Sequence, residues 1–206
     1  GAGRGVDHFL CLTLGTGVGG AIVDDGRMVR GAGGGAGEVG HLALFPDGLP
    51  CTCGRRGCLE AYVSGPAIAR RYLAAVEEPG EVEGDGGRDH VRSQDVFELA
   101  KQGDQFAQTV IADTYRFLGY GIASLVNIFN PARVIVGGGL SQVGEELLLA
   151  LREAVREYAL KGIAQDVEIV LAELGEKAGL FGAAYLVWKN AGLGEEGLQF
   201  AAGGQR

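Results

Sequence analysis

One histidine and three of the four cysteines lie between positions 41 and 58: His41, Cys51, Cys53 and Cys58. One imidazole and three thiolates form a tetrahedral set suited to zinc, and a closed four-ligand site of this kind is structural. Pro46, Gly48, Pro50, Gly54 and Gly57 punctuate the same stretch. A short loop needs such turn formers to fold three thiolates onto one ion. Arg55 and Arg56 stand between the second and third cysteines, where their charge favours thiolate over thiol. Two competing readings are half of a disulfide framework and plain buried thiols. The first lacks a second dense cysteine cluster and any stretch that reads as a secretory signal. The second sits badly in a loop of prolines, glycines and arginines.

Two acids flank this loop, Glu38 three residues before His41 and Glu60 two residues after Cys58. A metal knot that fixes the loop would also fix these carboxylates. Paired acids at a rigid turn suit a polyol, because a carboxylate accepts from several hydroxyls and charge-assisted bonds are the stronger ones. Taken singly, each also fits an ordinary solvated surface residue. Two glycine turns follow apolar runs. Gly15, Thr16 and Gly17 follow Leu14, and Gly137, Gly138 and Gly139 follow Val136. Backbone amides exposed in such turns can face phosphate oxygens, with the Thr16 hydroxyl adding a donor. By themselves the patterns fit any tight turn after a strand, and the P-loop Lys-Ser/Thr is missing.

Glu38-Val39-Gly40-His41, followed by Cys51-x-Cys53-Gly54-Arg55-Arg56-Gly57-Cys58-Leu59-Glu60, resembles the signature of the ROK family of bacterial sugar kinases and sugar-responsive repressors. The likeness extends upstream to residues 14–20 and downstream to 136–140, and covers the chain to about position 190. It implies an α/β, ribonuclease-H-like, actin-like ATPase fold in which residues 1–192 form the C-terminal lobe, with the zinc loop at 36–64 and a flexible tail at 193–206. It implies ATP-dependent phosphorylation of a hexose, first of all glucose to glucose 6-phosphate, with Mg²⁺ on the phosphates. In this plan Gly15, Thr16, Gly17, Gly137, Gly138 and Gly139 contact nucleotide and phosphate. Glu38, His41 and Glu60 hold the sugar, and His41 gives its other nitrogen to the structural zinc. The family's catalytic aspartate and first phosphate loop are expected in an N-terminal lobe that this chain lacks, so no catalytic residue is assigned here and the isolated chain is expected to be inactive. Alternatives within the resemblance are an N-acetylmannosamine kinase and the sugar-sensing domain of a repressor. A homo-oligomer, dimer or tetramer, is also implied, with Phe117 on a stripe of the longest helix as a candidate contact.

These residues need elements to position them. Residues 8–14 read as a strand, with Cys11 an inert core thiol, and 20–23 and 27–30 as a hairpin about Asp24, Asp25 and Gly26. A further short strand is expected at 41–44. Ser64 and Pro66 open a helix. Residues 77–92, acidic and glycine-rich, read as a surface loop, and Ser93 caps a short helix that follows. Apolar residues at helical spacing predict a long helix over 105–129, stopped by Asn130 and Pro131. Strand, helix, strand and helix follow at 133–136, 145–160, 167–171 and 178–190, an alternation that predicts parallel strands with crossover helices.

Composition bounds the partners. The chain has 206 residues and a net charge of −8, which argues against a nucleic-acid surface on this segment. No run reaches the roughly 18 apolar residues of a membrane span. Thiols reserved for metal imply a reducing, cytoplasmic setting. Glycine, 38 of 206 residues, is concentrated at turns, where backbone approaches a ligand closely.

Overall fold

The computed structural model describes residues 1–76 and 91–190. The expected loop at 77–92 therefore lies outside the described residues apart from positions 91 and 92, as does the expected tail at 193–206. The chain divides into two units, 1–172 and 173–206.

The first unit is built on five strands: β1 (Phe9–Leu14), β2 (Val18–Asp24), β3 (Arg27–Met28), β4 (Arg133–Gly137) and β5 (Glu168–Leu171). Their order in the sheet is β3-β2-β1-β4-β5. β1 runs antiparallel to β2, and β2 to β3, whereas β1, β4 and β5 are mutually parallel neighbours. This is the mixed sheet of the ribonuclease-H-like, actin-like fold. The turn between β2 and β3 has positive φ at both Asp25 (49°) and Gly26 (68°), the twist that a two-residue hairpin requires.

Period-two alternation sends Leu10, Leu12 and Leu14 to one face, each at most 2% exposed. They share a core with Val134 and Val136 of β4 and with the helices. Cys11 points the other way, is half-buried, and has its thiol pKa raised by burial, as befits an unreactive side chain.

Between strands lie α1 (Glu60–Val63), α2 (Gly65–Val76), α3 (Ser93–Lys101) and α4 (Gln105–Phe129), then α5 (Glu145–Tyr158) and α6 (Lys161–Ala164) ahead of β5. The long α4 starts where Asp104 accepts from the Ala107 amide at 2.7 Å and ends at Asn130, left-handed at φ 44°, with Pro131 next. Two glycines let α4 be approached closely. A Cβ on Gly119 would overlap Ala154 of α5, and one on Gly121 would press on Leu59. α6 was not expected from the sequence, and its four residues are too few for a periodic signal. The second unit carries α7 (Ala178–Asn190), which matches the last expected helix. Among the described residues no helix is long and apolar enough to cross a membrane.

Two local expectations are corrected. Residues 41–44 are not a strand: Val39–His41 form a 3₁₀ turn, and Ala43 makes only an isolated bridge to Cys58. Gly40 is jammed against the Val18 carbonyl, with no room for a Cβ, and this contact bends the chain. Ser93 does not cap α3. It is the first helical residue, Arg92 is the cap, and the Asp95 carboxylate accepts from the Arg92 amide at 2.8 Å. Phe117, the candidate partner contact, is half-buried and joins an intramolecular cluster, with ring centroids 5.4 Å from Phe45 and 5.1 Å from Tyr62, and Arg71 and Arg116 lie over its face.

Leu59 is fully buried and seated over Gly121, so it couples the cysteine loop to α4. Leu59→Ala is expected to lower unfolding stability by about 2–5 kcal/mol, read as a fall in the urea midpoint at unchanged slope. A loss under about 1 kcal/mol would mean that the loop closes without this contact.

Candidate functional site

β1 and β4 are parallel neighbours, so the turns after them open on the same side of the sheet. Gly15–Gly17 and Gly137–Gly139, expected from sequence to face phosphate, are therefore side by side. Gly138 adopts φ 87°, and a Cβ there would overlap the Leu14 backbone, so only glycine lets the two turns touch. The first turn is closed by a bond from the Gly15 amide to the Gly17 carbonyl at 3.0 Å. It is tied to the start of α2 by the Gly65 amide, which donates to the Gly15 carbonyl at 2.8 Å.

Glu60 joins this turn to the cysteine loop. Its Oε2 accepts from the Val18 amide at 2.9 Å, and its Oε1 accepts from the Thr52 hydroxyl at 3.2 Å. The Cys51 thiol is 3.9 Å from the same Oε1. Gly17 leaves the room this carboxylate needs, since a Cβ would lie 2.7 Å from Oε2. Behind Glu60, the Tyr62 carbonyl accepts from the half-buried guanidinium of Arg71 at 3.1 Å, and Arg71 also donates to Thr114 at 3.0 Å and pairs with Asp113. Burial lowers the Arg71 pKa, and Asp113 opposes that shift. α1 is thus held against α4 by a charged but satisfied network.

His41, Cys51, Cys53 and Cys58 converge, with one ligand atom from each lying within 4.8 Å of all the others. His41 Nδ1 faces Cys51 Sγ at 3.8 Å, and Cys53 Sγ lies 3.7 Å from Cys58 Sγ. Backbone bonds close the loop on itself. The Cys51 amide donates to Arg55 O at 2.8 Å, Gly54 to Cys51 O at 3.0 Å, and Leu59 to Leu42 O at 2.8 Å. Gly57, at φ 74°, leaves no space for a Cβ beside the Phe45 carbonyl. Hydrogen bonding from the Arg55 backbone, and then from Cys51, lowers the exposed Cys53 thiol. Burial, then the neighbouring Cys53 and Cys51, push Cys58 up to about 12. Three thiols this close resist joint ionisation until a cation shares the space, and a Cys₃His donor set fits such an ion well.

Two clefts meet at Gly15 and Thr16. The smaller, about 390 Å³, is walled by residues 13–19, Gly138 and Glu60. The larger, about 660 Å³, runs from Gly15 and Thr16 past Pro66, Phe97 and Lys101 to Gly139 and Glu146. A vestibule with a carboxylate thus shares one wall with a longer cleft of mixed apolar and polar lining, a division suited to two ligands meeting at Thr16. Glu38 is exposed, takes no side-chain hydrogen bond among the described residues and lines neither cleft. His41 sits in the metal cluster and also lines neither. The sequence reading missed Thr52 and the far wall of the larger cleft. On α3, Phe97 and Lys101 stand four apart, a stripe indistinguishable in sequence from a core-facing one.

The ROK family profile matches residues 1–190. A glucokinase of Halalkalibacterium halodurans is 39% identical over 201 residues, covering 96% of this chain and 61% of the relative. A xylose repressor of Caldicellulosiruptor bescii is 32% identical over 185 residues, covering 88% of this chain and 46% of the repressor. Among solved structures, a ROK family glucokinase from Streptomyces griseus in complex with glucose and AMPPNP superimposes with a TM-score of 0.78 at 40% identity, over 90% of this chain and 62% of that one. The chain therefore spans about three fifths of the length of the glucokinases it matches.

The Glu60 bridge has a direct readout. Glu60→Ala removes the acceptor from the Val18 amide, and a hydrogen bond to a charged partner contributes about 1.5–3 kcal/mol. Amide exchange at Val18 is expected to accelerate by roughly 10–100-fold while amides in α4 keep their protection. Unchanged exchange at Val18 would mean that the glycine turn is held without Glu60.

Proposed function

The chain belongs to the ROK family, and from that footing we propose that it is the nucleotide- and sugar-binding lobe of an ATP-dependent hexose kinase acting on glucose. The observation that carries this reading is the pair of clefts joined at Gly15 and Thr16, with Glu60 across the smaller one. The larger cleft has the size and mixed lining of a nucleotide site. The phosphates would lie along the amides of the turns at 15–17 and 137–139 with the Thr16 hydroxyl as a donor, and Mg²⁺ neutralises their charge.

The smaller cleft would take the sugar. Glu60 accepts from its hydroxyls; Glu38 and the second His41 nitrogen, which the family resemblance adds to the set, stand outside the lining of this cleft and would reach only a sugar that extends beyond it. The sugar's 6-hydroxyl would then meet the terminal phosphate near Thr16. Positioning is most of the catalysis available to phosphoryl transfer. The remaining need is a base for the hydroxyl proton, which the family resemblance assigns to an aspartate of a facing lobe. Zinc held by His41, Cys51, Cys53 and Cys58 supplies rigidity: it fixes the loop that carries Glu60 and takes no part in the transfer.

The repressor relatives favour a second reading, a sugar sensor with no nucleotide. The larger cleft weighs against it, because a sensor has no use for a second, adjoining site. Calorimetry decides between them. The folded chain is expected to bind a Mg²⁺-bound, non-hydrolysable ATP analogue, and Thr16→Ala to weaken that binding about 3–10-fold through loss of one hydrogen bond. Sugar binding with no nucleotide binding would establish the sensor.

Metal analysis should find about one zinc per chain, with Cys53→Ser releasing it. A metal-free chain of unchanged stability would remove zinc from the account. In a coupled assay the chain alone is expected to phosphorylate glucose negligibly, since loss of a general base typically costs about 10²–10⁴ in rate. Robust turnover would instead place the base within these residues.

A further inference from the structure

Glu146 stands in the first turn of α5 on the wall of the larger cleft. Its Oε1 accepts from the Tyr115 phenol at 3.0 Å, and its other oxygen takes no hydrogen bond among the described residues. Tyr115 is 8% exposed on α4, and its ring lies 6.4 Å from that of Phe97, which lines the same cleft. Burial, then hydrogen bonding to Glu146, raises the Tyr115 pKa, so the phenol stays a donor through the working range. Lys101, which lines the same cleft, is paired with Glu98 at 2.8 Å. A carboxylate is therefore held at one oxygen by a rigid neutral donor, with its second oxygen left for whatever fills the cleft.

A carboxylate repels phosphate, so it faces a part of the ligand that donates. A nucleotide offers ribose hydroxyls and, in adenine, an exocyclic amine. Only Gly144 and Glu145 separate Glu146 from the Gly139–Val143 turn. With the phosphates along the turns at 15–17 and 137–139, the group adjoining them is the ribose, and the base lies beyond, where Val91 and Phe97 offer apolar surface.

We infer that Glu146, oriented by Tyr115, accepts a hydrogen bond from a ribose hydroxyl and makes this cleft select ribonucleotides over 2′- or 3′-deoxynucleotides. This rests on the nucleotide reading of the cleft. It assigns Glu146 as a specificity-determining residue and Tyr115 as the residue that positions it.

The test is calorimetric binding of Mg²⁺ complexes of ATP, 2′-deoxy-ATP, 3′-deoxy-ATP and ITP to the native chain, Glu146→Ala, Glu146→Gln and Tyr115→Phe, with melting curves confirming the fold of each. The native chain is expected to bind ATP about tenfold or more tighter than at least one deoxy analogue. Glu146→Ala should erase that ratio by weakening ATP alone, Glu146→Gln should reduce it, and Tyr115→Phe should narrow it while leaving the deoxy affinities unchanged. An ATP-to-deoxy ratio near one in the native chain, or one unchanged in Glu146→Ala, overturns the inference while leaving the nucleotide reading intact. If Glu146→Ala instead erases a preference for ATP over ITP, the carboxylate reads the base amine and the inference falls. No binding of any triphosphate by the folded native chain overturns the nucleotide reading itself, and the inference with it.

Discussion

Everything at the site depends on the parallel pairing of β1 with β4. Parallel neighbours deliver their C-terminal ends to one edge of the sheet, and the register that sets Leu12 opposite Val136 brings the two glycine turns level. The turns then touch, because Gly138 at φ 87° has no side chain to hold the Leu14 backbone away. A larger residue at that position would meet two obstacles at once, a forbidden dihedral and an occupied volume. The walls of both clefts follow from this contact, since Gly15 and Thr16 border each of them.

A sheet edge alone leaves its turns mobile, and here a second constraint acts from outside the sheet. The cysteine loop is closed by its own backbone bonds and by the convergence of four ligand side chains, and it is anchored to the helical layer through Leu59 and the aromatic cluster of Phe45, Tyr62 and Phe117. Glu60 follows directly at the start of α1, so its position is inherited from that anchor. The carboxylate then reaches the Val18 amide, so the first glycine turn and the cysteine loop are referenced to the same two oxygen atoms.

Much of the frame was legible in the chain because its signals are local. The apolar run over 8–14 marks a strand, Asp25-Gly26 marks a tight hairpin, and Asn130-Pro131 ends α4 where the helix is observed to end. The convergence of His41, Cys51, Cys53 and Cys58 was legible because they crowd into one loop. What escaped were pairings between distant segments: Glu60 with Val18 across 42 positions, and Tyr115 with Glu146 across 31. Nothing in either neighbourhood differs from an ordinary surface acid or core tyrosine. The errors at 41–44 and at Ser93 have the same origin. Local propensity favoured a strand and a serine cap, but the Gly40–Val18 contact and the Asp95 carboxylate determined the outcome.

One question follows from Glu60 serving as a brace: whether a side chain already bonded at both oxygens can still receive a ligand. An ionised carboxylate offers about four lone-pair sites. The Val18 amide occupies one on Oε2, and the Thr52 hydroxyl and the Cys51 thiol both face Oε1, which leaves one site open on Oε2. The two bonds in place also reduce the cost of ligand binding, because a side chain already fixed in one rotamer has little conformational entropy left to lose. A free surface glutamate would have to be ordered at the moment of capture, at about 1–2 kcal/mol for its rotamers. The two roles are therefore compatible: the contacts that make Glu60 a structural link also hold its remaining acceptor site fixed on the wall of the smaller cleft.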